Sequence, residues 1–450
     1  MEGIAWPALP DNTHAAILAI EQQFERIERL TADAILALQF RQLRSLLSHA
    51  AGTVPFYRDR LRGMAGREPL LLEDWLRIPV LDRSALQDAG ETMLSRALPK
   101  EHGAVSVASS SGSTGRPVKV KTTSVTSLFF VALNLRSHRW GKRDFAGTVC
   151  AIRALSSETR KAADEGKPTP WVPGHPSGPL YFYDIALPVG GQLEWLQAKA
   201  PHYLLTNPSN LQALVDLTRE RGVRLPSLRQ VAILGEALSP EVRTSCQTTW
   251  QVPVQDLYSC VELGIMALQC PDNEHSHVMS DSVLIEVLHD DGRPCAAGEI
   301  GQVVVTDLHN FAQPLIRYAV GDYAEVGPTC PCGRGLPVLR RVWGRERNMV
   351  TLPSGDRLWP DLPTSAWMDI APVRQLQFIQ HSVEEIEARL VTTRALSRLE
   401  EERLAQAFAG LFKHPFTFRF TYLAEIPRDK GGKYEGFISR VAAIPGRTAS

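Results

Sequence analysis

The run Ser109-Ser110-Ser111-Gly112-Ser113-Thr114-Gly115-Arg116-Pro117 narrows the choice of folds more than any other stretch of this chain. A flexible linker of that composition is the plain alternative, but β-like sequence resumes immediately, at residues 118–122. The run therefore reads as a loop carried between strands. Its backbone N–H groups and hydroxyls can wrap phosphate oxygens, with glycine allowing close approach. It is not a Walker loop, because no Lys-Ser/Thr pair follows the second glycine. Elsewhere, strand-like residues 147–152 and 231–234 alternate with helix-like residues 211–221. That alternation predicts an α/β fold. Residues 1–50 carry apolar positions at helical spacing, ending near Gly52 before Val54-Pro55. Residues 155–180 read as a long surface loop. Residues 283–288 and 301–306 flank Asp290-Asp291-Gly292 and predict a hairpin.

The last hundred residues read as a separate small α+β unit. It has strands at 373–379, 388–391 and 416–423 and an amphipathic helix at 397–412, with Leu399, Leu404, Phe408 and Leu411 on one face. The expected division is a large domain at 1–345 and a small one at 346–450.

Composition removes several function classes. Lys+Arg and Asp+Glu both number 49 in 450 residues, so a globally basic nucleic-acid binder is excluded. No apolar run approaches the roughly 18 residues of a membrane span. The N-terminal residues lack a basic segment followed by an apolar one, so no secretory signal is expected. Seven cysteines make no disulfide framework, and with no such signal they are expected reduced, in a cytoplasmic protein.

Two weaker signals accompany the loop. Tyr318-Ala319-Val320-Gly321-Asp322 puts a carboxylate after a glycine turn, where it can accept from two ribose hydroxyls. Gly431-Gly432-Lys433 puts a lysine after a turn near the C-terminus. Alone, each reads as a turn and a solvated lysine. The cysteines add Cys330-Pro331-Cys332-Gly333, with Cys270 sixty residues earlier and His275 and His277 after it. Three thiolates and one imidazole suit a closed tetrahedral zinc site, with buried thiols and a turn as the alternative. His277 fits better than His275, because it directly precedes Val278 and a strand-like run. Cys150, Cys246, Cys260 and Cys295 are expected in the core.

In this order the signals resemble the acyl-adenylate-forming superfamily, most closely its phenylacetate–CoA ligase-like branch, over most of the chain. His49-Ala50, Val54-Pro55-Phe56-Tyr57-Arg58 and Ile78-Pro79-Val80-Leu81 look like that branch's opening. The resemblance implies a large adenylate-forming domain with a small mobile one. It makes Ser110, Ser111, Gly112, Ser113, Thr114 and Gly115 the phosphate loop. Gly235, Glu236 and Ala237 would contact adenine, Tyr258 would stack on it, and Glu262 would help hold magnesium. Asp322 would bind ribose, Gly344-Arg345 would form the hinge, and Lys433 would be the catalytic lysine at the α-phosphate and the substrate carboxylate. The branch also carries a Cys, a downstream His and a Cys-Pro-Cys-Gly stretch at the places of Cys270, His277, Cys330 and Cys332.

The implied activity is ATP-dependent activation of a carboxylic acid as acyl-adenylate, then transfer to coenzyme A. A carrier-protein phosphopantetheine or an amine is the alternative acceptor, and a nucleotide-binding protein without turnover is the alternative of another class. A homodimer is an assembly that the sequence leaves open. Two departures stand out: Val261 replaces the usual Ser or Thr, and Arg347 stands for the usual hinge aspartate. By family position the acyl pocket would involve Phe129, Phe130, Tyr181-Phe182-Tyr183-Asp184 and Pro208-Ser209-Asn210, which suits an aryl or small apolar acid. Trp140 and Trp171 are undecided between pocket and core.

Overall fold

The computed structural model describes residues 9–64, 66–109, 117–174, 176–429 and 431–441. The N-terminal helical region is two helices, α1 (Asn12–Ile27) and α2 (Ala32–Thr53). The break comes where Thr31 turns extended and its hydroxyl accepts from Ala34 N–H at 3.3 Å, capping a new helix. The second helix stops because Val54 precedes a proline and takes an extended backbone. Short helices α3 (Tyr57–Arg60), α4 (Leu72–Leu76) and α5 (Arg83–Ala89) follow. A two-stranded ribbon, β1 (Val105–Ser109) with β2 (Lys119–Thr123), pairs Ser109 with Lys119. The phosphate-loop residues Ser110–Gly115 lie outside the described residues.

Helix α6 (Ser124–Trp140) starts from a capping box between Thr123 and Thr126. The chain then alternates as the sequence predicts: β3 (Val149–Arg153), α7 (Ser157–Asp164), β4 (Thr169–Pro170), β5 (Pro179–Asp184), α8 (Val189–Lys199), β6 (Tyr203–Thr206), α9 (Pro208–Arg221), β7 (Gln230–Leu234), α10 (Pro240–Trp250) and β8 (Val254–Cys260). Helix α7 and strand β4 correct the expected loop at 155–180. Ser156 is an N-cap, accepting from Thr159 N–H at 3.2 Å, and that local bond starts a helix in a polar stretch without apolar periodicity.

Six more strands complete one sheet: β9 (Gly264–Gln269), β10 (Ser276–Val278), β11 (Val283–Leu288), β12 (Ile300–Asp307), β13 (Tyr318–Val326) and β14 (Val338–Arg345). Its order is β11-β12-β13-β14-β10-β9-β8-β7-β6-β3-β5-β4. Strands β5, β3, β6, β7 and β8 are parallel. The predicted hairpin is present, with Val283 opposite Asp307 and Leu288 opposite Gln302.

The small unit has a ribbon, β15 (Val350–Thr351) with β16 (Arg357–Leu358), and a short helix, α11 (Ser365–Met368). Its main sheet has the order β19 (Thr417–Tyr422), β18 (Glu385–Thr392), β17 (Val373–Gln380), β20 (Phe437–Ser439). Helix α12 (Arg398–Phe412) buries Leu404, Phe408 and Phe412. Phe408 and Phe412 meet Phe378 edge-on at 4.8 and 5.0 Å. Leu399 sits in the first turn and is exposed, so the apolar face starts one turn later than the sequence suggests.

The carboxylate of Glu28 joins the N-terminal helices to helix α6 and to the loop between β13 and β14. It is fully buried and accepts from Trp140 Nε1 at 3.1 Å, Arg139 Nη2 at 3.1 Å and Arg334 Nε at 3.3 Å. Arg136, also fully buried, lies 3.6 Å away and pairs with Asp281 at 2.5 Å. Burial pushes the Glu28 carboxyl upward, but Arg139, Arg136 and Arg334 outweigh it and hold it below its ordinary value of 4.5. Removing one charge from such a cluster strands the others. Glu28→Gln should therefore cost about 3–5 kcal/mol, read from denaturant midpoints at pH 7. A lowered carboxyl stabilises above its ordinary value and loses that contribution as pH falls through the lowered one. The gap between wild type and variant should accordingly narrow on acidification below pH 4.5. A gap that does not change with pH would exclude the ionised carboxylate as its source.

Candidate functional site

One cavity of about 1210 Å³ lies between a face of the parallel sheet and helix α6. The sheet contributes Val149, Ala151 and Arg153 from β3 and Leu180 and Phe182 from β5. Helix α6 contributes Phe129, Phe130, Leu133 and Asn134. The cavity is continuous with a polar end carrying Arg83, Gly235, Glu262, Arg345 and Lys433. Ligand sites of open α/β sheets lie beyond the carboxyl ends of the strands, as this end does.

Of the sequence-predicted residues, Gly235, Glu262, Arg345 and Lys433 line the cavity. Tyr258 and Asp322 stand beside them. The Tyr258 hydroxyl donates to Asp322 Oδ2 at 2.9 Å, and Arg345 Nε lies 3.6 Å from Oδ1. Register explains the pairing, because Asp322 on β13 faces Arg345 on β14. Burial, reinforced by the Asp322 carboxylate, raises the Tyr258 hydroxyl well above its ordinary value, so it stays a donor. Glu262 lies 3.5 Å from Arg83, a residue the sequence reading missed. Arg83 arrives because Leu81 bridges to β13: its N–H donates to Arg317 O at 2.8 Å and its carbonyl accepts from Ala319 N–H at 2.9 Å. Val261 is half exposed.

Lys433 belongs to the small unit but reaches the end of β7: a Cβ added at Gly235 would lie 3.7 Å from its Cε. Several bonds hold it there. Asn207 Nδ2 donates to Gly432 O at 3.2 Å. Tyr434 N–H donates to Glu236 Oε1 at 2.7 Å, and Arg428 lies 3.7 Å from the same carboxylate. Glu236 is anchored in turn by Ser209 N–H at 2.9 Å, in the first turn of α9, where a negative charge is favoured. The Glu236 carboxylate thus joins the two units, and Ala237 is exposed. Glu241 adds a second tie, accepting from Thr364 N–H at 2.8 Å and from its hydroxyl at 2.7 Å. Just after Arg345, Arg347 pairs with Glu435.

Away from the cavity, ligand atoms of Cys270, His277, Cys330 and Cys332 lie within 4.8 Å of one another. His277 Nδ1 is 3.2 Å from Leu336 O. A carbonyl only accepts, so Nδ1 carries the proton and Nε2 turns its lone pair toward Cys332 Sγ, 3.3 Å away. Burial lowers His277 to about 4, leaving it neutral, the ligating form. His275 lies outside the cluster. Cys150 and Cys246 are buried, Cys260 and Cys295 only partly.

Phenylacetate-coenzyme A ligase of Thermus thermophilus is 29% identical over 341 residues, covering 72% of this chain and 74% of that one. The chain is similar to phenylacetate-coenzyme A ligases. Residues 364–440 match the CapK C-terminal domain family. The fold is that of 2-hydroxyisobutyryl-CoA ligase crystallised in its postadenylation state, with a TM-score of 0.73 at 20% identity over 92% of this chain and 91% of that one. Against the same ligase in its thioesterification state, over the same shares and at 20% identity, the TM-score is 0.60. The chain is thus more similar in fold to the postadenylation structure of that ligase than to its thioesterification structure.

Of the residues suggested for an acyl pocket, Phe129, Phe130, Phe182 and Trp171 meet in the cavity. Tyr181 and Tyr183 pack into the core cluster on the sheet's other face. Ser209 is engaged with Glu236, and Trp140 with Glu28. Besides Arg83, the sequence reading missed Arg153, Asn134 and His309, which stacks on Phe129 at 3.7 Å. Glu236→Ala would take the acceptor from Tyr434 N–H and the counter-charge from Arg428, at about 1–3 kcal/mol for each stranded group. The small unit should then leave this placement, giving a larger radius of gyration in solution scattering and faster proteolysis after residue 345. Unchanged values for both would remove the latch role.

Proposed function

We propose that this protein activates a carboxylic acid with ATP, forming an acyl-adenylate and pyrophosphate, and then transfers the acyl group to the thiol of coenzyme A. The observation that carries the reading is the meeting of Glu262, Arg345 and Lys433, from three distant parts of the chain, at the polar end of an apolar cavity. A carboxylate is a poor electrophile, and AMP transfer converts it to a mixed anhydride with a good leaving group. Negative charge gathers at the α-phosphate during that transfer, so positioning and cations account for most of the catalysis.

In this reading Lys433 supplies a compact charge on a long reach. Asp322, kept in place by Tyr258 and Arg345, accepts from the ribose hydroxyls, and residues 110–115, outside the described residues, would be the phosphate loop. Gly235, with the backbone of Glu236 and Ala237, borders adenine. Glu262 would hold magnesium, whose chemistry there is to neutralise phosphate charge; its carboxylate at the polar end of the cavity, already beside Arg83, suits a cation-and-phosphate setting. Thioester formation needs another placement of the small domain, residues 346–450, reached by turning about Gly344-Arg345. Gly344 has φ 104°, a backbone that side-chain-bearing residues rarely adopt.

Acid-dependent pyrophosphate release across aryl, alkyl and amino acids tests this function. Lys433→Ala should lower adenylation about 10²–10³-fold while sparing ATP binding and slowing thioester formation from presynthesised adenylate far less. Unchanged adenylation in the variant would end the lysine's role, and no release with any acid would end the ligase reading.

The cysteine cluster is proposed as a structural zinc site. Three thiols and a neutral imidazole fit a tetrahedral donor set. Protein prepared without chelator should carry about one zinc per chain by elemental analysis, and chelation should lower the melting temperature. A metal-free preparation with an unchanged melting temperature would remove the site.

A further inference from the structure

Arg153 ends β3 on the face that lines the cavity, with its guanidinium carbon 5.6 Å from the ring centroid of Phe182. Its Nε is buried and has no hydrogen-bond partner among the described residues. The carboxylate in register with it, Asp184 on β5, is already held by Arg160 at 2.5 Å and Ala186 N–H at 3.1 Å. Other arginines near this cavity are better satisfied. Arg143 donates to Gln230 at 2.7 Å and Gln255 at 3.0 Å, and Arg83 faces Glu262. Burial lowers Arg153 from the ordinary arginine value, and no carboxylate among the described residues offsets that effect. A part-buried guanidinium over an aromatic ring, without an anion, is costly unless a ligand supplies one.

We propose that Arg153 receives a second carboxylate on the substrate, so that the acid this enzyme activates is a dicarboxylic acid with an aromatic or short apolar body. The inference rests on the ligase reading above. Strand β3 lies two strands from β7, about 10 Å at ordinary strand spacing, and Lys433 stands at the end of β7. One carboxylate can thus face Lys433 and the α-phosphate while the other meets Arg153. Phe182, Phe129 and Phe130 would cover the body between them. Arginine matches a carboxylate with two parallel N–H donors, which gives selectivity as well as attraction.

The test uses matched acids that differ only in the second carboxylate: benzoate with terephthalate, phenylacetate with 4-carboxyphenylacetate, and butyrate with glutarate. With the full-length enzyme, ATP and magnesium, pyrophosphate release should give at least one dicarboxylate a kcat/KM about tenfold or more above its partner's. Arg153→Leu should remove that preference, cutting the dicarboxylate far more than the monocarboxylate. Arg153→Lys should keep part of it, which separates charge recognition from misfolding. The KM for ATP should not follow the acid. Wild-type preference for the monocarboxylate in every pair overturns the inference and leaves the ligase reading standing. So does a dicarboxylate preference that survives Arg153→Leu. A loss of ATP affinity in that variant equal for all acids assigns Arg153 to the phosphates instead. No release with either member of any pair overturns both readings.

Discussion

A single buried carboxylate, Glu28, fixes where the roof of the cavity lies. It stands at the end of α1 and binds Trp140 and Arg139 from α6 and Arg334 from the loop after the cysteine pair. Helix α6 also buries Ala132, Leu133, Leu135 and Trp140 in the apolar core. The charge cluster selects one rotation, with Phe129, Phe130 and Leu133 toward the strands. Dispersion and apolar burial favour many such packings nearly equally, whereas a buried carboxylate shared by several cations tolerates few. The same network ties the cysteine loop to the N-terminal helices: Gly335 N–H donates to Glu28 O at 3.0 Å, and a side chain at Gly335 would collide with Leu30 O.

The polar end of the cavity is assembled on a different principle. Its groups come from strand ends and from a second unit, and each is oriented by a neighbour rather than by its own backbone alone. Asp322 is steadied by Tyr258 and Arg345, Glu262 is approached by Arg83, and Lys433 is delivered by Gly432 and Tyr434 bonding to Asn207 and Glu236. Preorganised charge of this kind works without reorganising at the moment of reaction. On the proposed reading the cost is that Lys433 would be in place only while the two units are docked.

Much of this was legible in the sequence. The α/β alternation, the hairpin at Asp290-Asp291-Gly292 and the small α+β unit follow from local patterns. The grouping of Cys270 with Cys330-Pro331-Cys332 was readable because thiols are scarce. Arg83 and Arg153 were not readable, because a lone arginine after an apolar run has no pattern of its own. Each acquires meaning only when the sheet brings Glu262 or Phe182 beside it. Helix α7 was missed for another reason: its stability begins with the Ser156 cap and not with apolar spacing. Glu236 is read in the sequence as part of an adenine-contacting turn, whereas the joining of the large and small units by its carboxylate depends on tertiary placement alone.

The connection between the units has a mechanical consequence. Arg345 is fastened to the large unit through Asp322, while Arg347 is fastened to the small one through Glu435, and Asn348 Nδ2 donates to Phe437 O at 2.7 Å. On the proposed turn about Gly344-Arg345, the Arg345–Asp322 pair lies on the pivot itself, while the Arg347–Glu435 pair would travel with the small unit. Such a turn would have to release Tyr434 from Glu236, Thr364 from Glu241, Gly432 from Asn207, and Trp359 from Tyr323 and Trp343. With that many ties given up in one movement, the proposed turn would be a concerted step rather than a gradual drift.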